Sequence, residues 1–184
     1  MEMPKPTEEH RHLISALAGH WTGKETMHPS PWDPQGGTAT ATIEARAACD
    51  GFCVVTEYVQ KRDGKVSYVG HGVTGYDAQH RRYLQHWSDS VGGMPPEAKP
   101  GTWEGDTLTF HGAGPSGRTR YVYTFVAPGV HEYRIDVSPD GNTWQTFIEG
   151  RYVRGKAKAA KAKPARKKAK KKAGKKKSKP KKRK

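Results

Sequence analysis

Apolar and polar residues follow two rhythms along this chain. In the opening stretch TEEHRHLISALAG, Leu13, Ile14 and Leu17 recur at helical spacing. Thr7 stands where a cap is wanted, Glu8 and Glu9 suit the positive end of a helix, and Gly19 stops the pattern, which predicts one short amphipathic helix. From Trp21 to Val153 the rhythm changes to short runs rich in Thr, Val, Tyr, Phe and Trp. These are divided by the turn signals Asp50-Gly51, Asp63-Gly64, Gly105-Asp106 and Asp140-Gly141. About ten strands are predicted, near 20–28, 37–48, 52–61, 65–76, 81–89, 99–104, 107–112, 118–127, 130–138 and 143–153.

Ten strands joined by hairpins, with no crossover helix, leave two exposed edges unless the sheet closes on itself. The expected fold is therefore all-β, an up-and-down antiparallel barrel with a short N-terminal helix. Alternation supports it: Tyr121, Tyr123 and Phe125 share one face, as do Tyr133, Ile135 and Val137, and Trp144, Thr146, Ile148 and Tyr152. The strand KVSYVGHGVTGYD carries Gly70, Gly72 and Gly75. Glycines there signal a barrel corner, or backbone room for a ligand beside His71.

Composition divides the chain in two. It has 184 residues, with 33 Lys and Arg against 18 Asp and Glu, for a formal charge of +15. Residues 155–184 hold 18 of those cations and no acid, and all aromatic residues precede them. The predicted organisation is a compact domain over 1–154, slightly acidic and large enough to fold alone, followed by a Lys-rich tail over 155–184. No apolar run approaches the ~20 residues of a membrane span. The opening also lacks the basic-then-apolar order of a secretion signal, so a cytoplasmic protein is expected. Two cysteines, Cys49 and Cys53, are too few for a disulfide scaffold or a four-ligand zinc site. A two-residue loop at Asp50-Gly51 would send the thiols to opposite faces, and a three-residue loop would set them across from each other; free thiols are the expectation.

The segments LAGHWTG, DGFCVVTEY, GVTGYDAQHRRYLQHWSDSVGGM and WQTFIEGRYVR carry a family likeness. Its most specific part is the series Gly75, Tyr76, Asp77, Tyr83, Trp87 and Asp89. Over about residues 8–154 the chain resembles the bacterial domain-of-unknown-function family 1579. The resemblance implies a calycin-like barrel related to lipocalins and fatty-acid-binding proteins, and it implies no established reaction. LAGHWTGKET also resembles the opening of nitrobindin, a ten-stranded haem barrel whose iron is held by a histidine late in the chain. Here the last strand has no histidine and the nearest is His131, so no cofactor is expected and haem is the alternative.

Candidate chemistry is sparse. His71 and His86 fall on neighbouring strands and, with Asp89 or Glu57, have the makeup of a three-ligand metal site. No HExxH-like motif supports a metal, and half-buried polar histidines are the plainer reading. Tyr83, Gln85 and Trp87 occupy one strand face, with Leu84, His86 and Ser88 on the other. Trp21, His71, Tyr83, His86, Trp87, Tyr123 and Trp144 are the candidate pocket residues, aromatic walls with a few hydrogen-bonding groups, against the alternative of ordinary core packing. No GxSxG elbow or P-loop is present, so a non-enzymatic protein is favoured and no catalytic residue is assigned.

The tail carries the strongest functional signal. It has no large apolar side chain and eighteen like charges, so it is expected to be disordered when free. Its Lys-Ala-Pro composition resembles linker-histone tails and implies non-specific nucleic-acid binding. The contacts would be made by Lys167, Lys168, Lys170, Lys171, Lys172, Lys175, Lys176, Lys177, Lys181, Lys182, Arg183 and Lys184. Lysines bring point charge without a base-reading fork, and the segment has no aromatic for stacking. Three functions are consistent with these features. One is a barrel holding a small apolar or aromatic ligand, tethered to nucleic acid at the nucleoid. The second is a haem, metal or enzymatic barrel with the tail used for localisation. The third is a structural nucleoid protein with a packed, empty barrel. The oligomeric state is left open.

Overall fold

The computed structural model describes residues 3–31, 33–92, 97–114 and 117–155. The tail, with every nucleic-acid contact proposed from the sequence, lies outside the described residues. Helix α1 (Glu8–Leu17) leads into ten strands: β1 (Gly19–Met27), β2 (Gly37–Ala48), β3 (Cys53–Arg62), β4 (Lys65–Asp77), β5 (Arg82–Asp89), β6 (Lys99–Glu104), β7 (Thr107–Gly114), β8 (Gly117–Ala127), β9 (Val130–Ser138) and β10 (Gln145–Gly155). Each strand pairs antiparallel with its neighbours in sequence, and β1 pairs with β10 to close the barrel. Closure is register-locked from His20 opposite Gly155 to Met27 opposite Ile148, and the shortest ladder of the barrel is that of β5 with β6, Tyr83 to Gln85 against Gly101 to Lys99.

The helix forms where its pattern places it, with Thr7 as its N-cap as expected and His10 as the reciprocal partner that the pattern did not single out. The backbone N–H of Thr7 donates to Nδ1 of His10 at 3.1 Å, and the Thr7 hydroxyl donates to Glu9 at 2.6 Å. His10 is buried, edge-on to Phe52 and Tyr76. At the other end of α1, the Trp21 indole N–H donates to the Leu17 carbonyl and Arg154 donates to those of Ser15 and Ala16. These bonds satisfy carbonyls that every helix terminus leaves open, and they fasten α1 to the barrel. Leu13, fully buried, packs with Val54, Tyr83, Leu108 and Phe110. The helix thus plugs one end of the barrel with apolar side chains.

Three local expectations are corrected. Trp144 and Thr146 do not share a face with Tyr152. A bulge between Thr146 and Ile148 resets the alternation, so Thr146 bonds Asp136 on the outer wall and Trp144, ahead of β10, lies under Arg120 at 4.5 Å. Gly70 and Gly72 of β4 do not open room for a ligand beside His71. Gly72 pairs with Trp87, whose ring fills the space above Gly70 and Gly72. Neither loop length foreseen for the cysteines occurs: Ala48 pairs with Cys53, leaving four residues in the turn, and both thiols are free. Burial, then hydrogen bonding to Cys49, pushes the Cys53 thiol pKa up.

Candidate functional site

Strand alternation sorts the candidate residues by wall. Trp21, Tyr83, Trp87 and Tyr123 point into the barrel. Trp21 and Tyr83 are buried, whereas Trp87 and Tyr123 are only half-buried; Tyr123 packs with Tyr83 and Leu108 in the cluster beneath α1, and Trp87 with Tyr58 and Tyr152. His71, His86 and Trp144 are on the outer wall. The Nδ1 of His71 lies 2.8 Å from Glu57 and its side chain is 49% exposed; His86 is opposite Val73, on the strand face away from Gln85. Asp89 turns inward, where it accepts a bond from the Tyr68 hydroxyl at 2.9 Å, so it does not join His71 and His86 in a ligand set. Among the described residues no cluster of three or more His, Cys, Asp or Glu side chains is assembled for a metal.

His131 points inward and is enclosed by rings. Tyr152 stacks on it at 5.0 Å, Trp21 meets it edge-on at 4.5 Å, and Tyr123 and Phe125 lie within 6.0 Å. An imidazole so surrounded has no open side from which to ligate iron, so the residues present do not fit haem here. Burial, with a smaller contribution from Arg154, lowers its pKa to about 4, and both ring nitrogens lack a hydrogen-bond partner among the described residues. Because the unfolded chain takes up this proton near pH 6.5, the stability contributed by neutral His131 is fully present above that pH and is lost as pH falls toward 4. A loss of roughly 3 kcal/mol over that interval is expected from the size of the shift. Urea unfolding from pH 7.5 to 4.5 should show that loss in the wild type and a shallower pH dependence in His131→Phe.

The interior beyond the plug is polar and aromatic. Glu25 is only 2% exposed, on the same strand face as Trp21 and Met27. Its carboxylate accepts hydrogen bonds from Tyr58 (2.7 and 2.8 Å), from Gln60 (2.8 Å) and from Tyr152. Burial and the adjacent carboxylate push the Tyr58 and Tyr152 phenols far above their ordinary range. Such donors keep their protons, which is what a buried carboxylate without a cation requires. Further along, the Trp87 indole donates to the Tyr68 hydroxyl at 3.0 Å, and Gln85 donates to Tyr123 at 3.3 Å. Burial raises the Tyr123 phenol to about 12.

Tyr68, Trp87, Tyr121, Tyr123, Tyr133, Ile135 and Ile148 all face inward yet keep partial solvent exposure. In a barrel filled solid they would be as buried as Leu108 and Phe110 are beneath the helix. The interior is therefore not sealed at these side chains, which solvent still reaches. Two recesses lie outside it. One of about 360 Å³ on the outer wall is lined by paired charges such as Glu132 and Arg151. Another of about 440 Å³ runs beside α1, against Trp103 and Phe125.

Glu25, Tyr58, Tyr68, Tyr121, Tyr133 and Tyr152 were absent from the candidates chosen by sequence. Strand parity was the available signal: Trp21, Gly23, Glu25 and Met27 share one face of β1, so a carboxylate on an inward row stood in plain view.

Comparison with known proteins agrees with the architecture. The family model described as a protein of unknown function, DUF1579, matches residues 5–154. The crystal structure of Rv2717c from M. tuberculosis matches with a TM-score of 0.60 at 14% identity, over 82% of this chain and 100% of that one. The S-type phycobiliprotein lyase CPES from Guillardia theta matches with a TM-score of 0.60 at 13% identity, over 80% of this chain and 93% of the lyase. No curated protein matches.

Proposed function

This chain belongs to the DUF1579 family of proteins of unknown function, and from that premise we propose that it is a non-enzymatic binding protein. Its barrel takes up a small aromatic ligand through the end away from α1, and its Lys-rich tail tethers it non-specifically to nucleic acid in the cytoplasm, at the nucleoid. The observation that carries the first part is the row of inward, half-exposed tyrosines around Trp87 in an otherwise closed barrel. Aromatic walls with a few fixed polar groups are the usual makeup of a small-molecule site. A fold neighbour is a phycobiliprotein lyase; at that identity the likeness supports the architecture, and the interior chemistry supports the ligand. Native mass spectrometry of the freshly purified protein should find a stoichiometric bound small molecule. A homogeneous apo mass, with no uptake of naphthalene-sized aromatics, would contradict the proposal.

The tether rests on charge alone. If about half of the tail's cations neutralise phosphates, log affinity for duplex DNA should fall against log salt with a slope of about −8. All ten strands and α1 lie within residues 8–155, so a chain ending at Gly155 keeps every element. Fluorescence anisotropy across a salt series should show steep, sequence-independent binding by the full chain and none by residues 1–155. Equal binding by both, or by neither near physiological salt, would remove nucleic acid as the partner.

A further inference from the structure

One inward position carries a charge that the barrel itself does not neutralise. Lys99, at the start of β6, is opposite Gln85 on the inward face, and its stem runs across β7 at Gly112. A Cβ at Gly112 would lie 3.3 Å from the lysine Cε and 2.6 Å from Thr119 Oγ1, so the stem passes close over that glycine. The Nζ comes to rest over the Tyr121 ring, 5.0 Å from its centroid. Among the described residues no carboxylate pairs with it, and the aromatic ring it meets is that of Tyr121. Asp89 acts on Lys99 only through its field, its own oxygens taken up by the Tyr68 hydroxyl and the Val91 N–H. Burial holds the Lys99 pKa below the ordinary lysine value despite that field.

A half-buried ammonium facing accessible space is stabilised by an anion brought in from outside. Resting on the binding role argued above, we propose that Lys99 is the head-group residue of the interior site, and that the ligand is a small aromatic carboxylate. Its acid pairs with the Lys99 ammonium near the mouth while its ring lies against Tyr68, Trp87, Tyr121 and Tyr133. The buried Glu25 favours the same orientation, because it repels a carboxylate from the part of the interior beside Tyr58 and Tyr152. The arrangement also gives selectivity: an uncharged ligand of the same ring system gains the aromatic contacts but leaves the ammonium without a counter-ion.

The test compares 2-naphthoate with 2-naphthalenemethanol by titration calorimetry on the full chain, at 0.5 M salt to suppress association with the tail. The wild type should bind the acid about tenfold more tightly than the alcohol, the range of a charge-assisted hydrogen bond. Lys99→Met should lose that preference with alcohol binding unchanged, and Lys99→Arg should keep it. Equal affinity for acid and alcohol in the wild type would overturn the head-group assignment while leaving the binding role intact. A Lys99→Met variant that still prefers the acid, or that weakens both ligands alike, would overturn the assignment as well. Failure of both probes to bind the wild type would overturn both this inference and the binding role on which it rests.

Discussion

Glu25→Ala should lower the unfolding free energy by about 4 kcal/mol, the largest effect expected from any single substitution in the barrel. The carboxylate is the common acceptor for Tyr58, Gln60 and Tyr152. Removing it strands the buried Tyr58 and Tyr152 hydroxyls, each at about 1–3 kcal/mol less whatever an entering water recovers, and leaves the Gln60 amide its 3.3 Å bond to the Tyr58 hydroxyl. For a domain of this size the melting temperature should fall by about 8–16 °C. Glu25→Gln tests the mechanism more finely, since it keeps the volume but turns one acceptor into a donor facing other donors, and about half the loss is expected. Adding Tyr58→Phe to Glu25→Ala should recover stability, because a donor is removed together with its acceptor. A loss below 1 kcal/mol for Glu25→Ala would mean that the carboxylate does not organise the interior.

Gly70→Ala is the second large expectation, a loss of about 3 kcal/mol from a single methyl group. Its Cβ would lie 2.1 Å from Cζ2 of Trp87, a ring held on the other side by Tyr58 and by its bond to the Tyr68 hydroxyl. The indole has to leave that position, with the strain typical of overpacked cores, and the tryptophan emission should shift with it. Gly114→Ala is the control, because nothing lies within 4 Å of the added atom. Its stability should change by no more than about 0.5 kcal/mol. Chemical denaturation followed by fluorescence reads both variants, and indistinguishable curves would contradict the placement of Trp87.

Much of the fold was legible because barrels obey a two-residue rhythm. The helix over TEEHRHLISALAG, ten strands and closure all follow from periodicity and turn signals. What alternation could not supply was the register at irregularities. The bulge beside Phe147 moved Trp144 and Thr146 to the outer wall, and no residue type announced it. His71 and His86 attracted attention as metal-ligating types, yet their parity puts them outside with Glu57. Lys99 was overlooked for the opposite reason: lysine in a strand is read as outward, whereas here its stem passes close over Gly112 on the inward face. The polar interior was hidden by habit more than by physics, since Glu25 sits on the same face as Trp21.

The central claim is that the space enclosed by the barrel is an accessible ligand site, and aromatic side-chain NMR during titration with 2-naphthalenemethanol tests it most directly. The account predicts shifts and intermolecular contacts at Tyr68, Trp87, Tyr121 and Tyr133, with the outer-wall residues Val69, His71 and Trp144 unmoved. Contacts confined to the outer wall or to the recess beside α1, with the inward tyrosines silent, would contradict it.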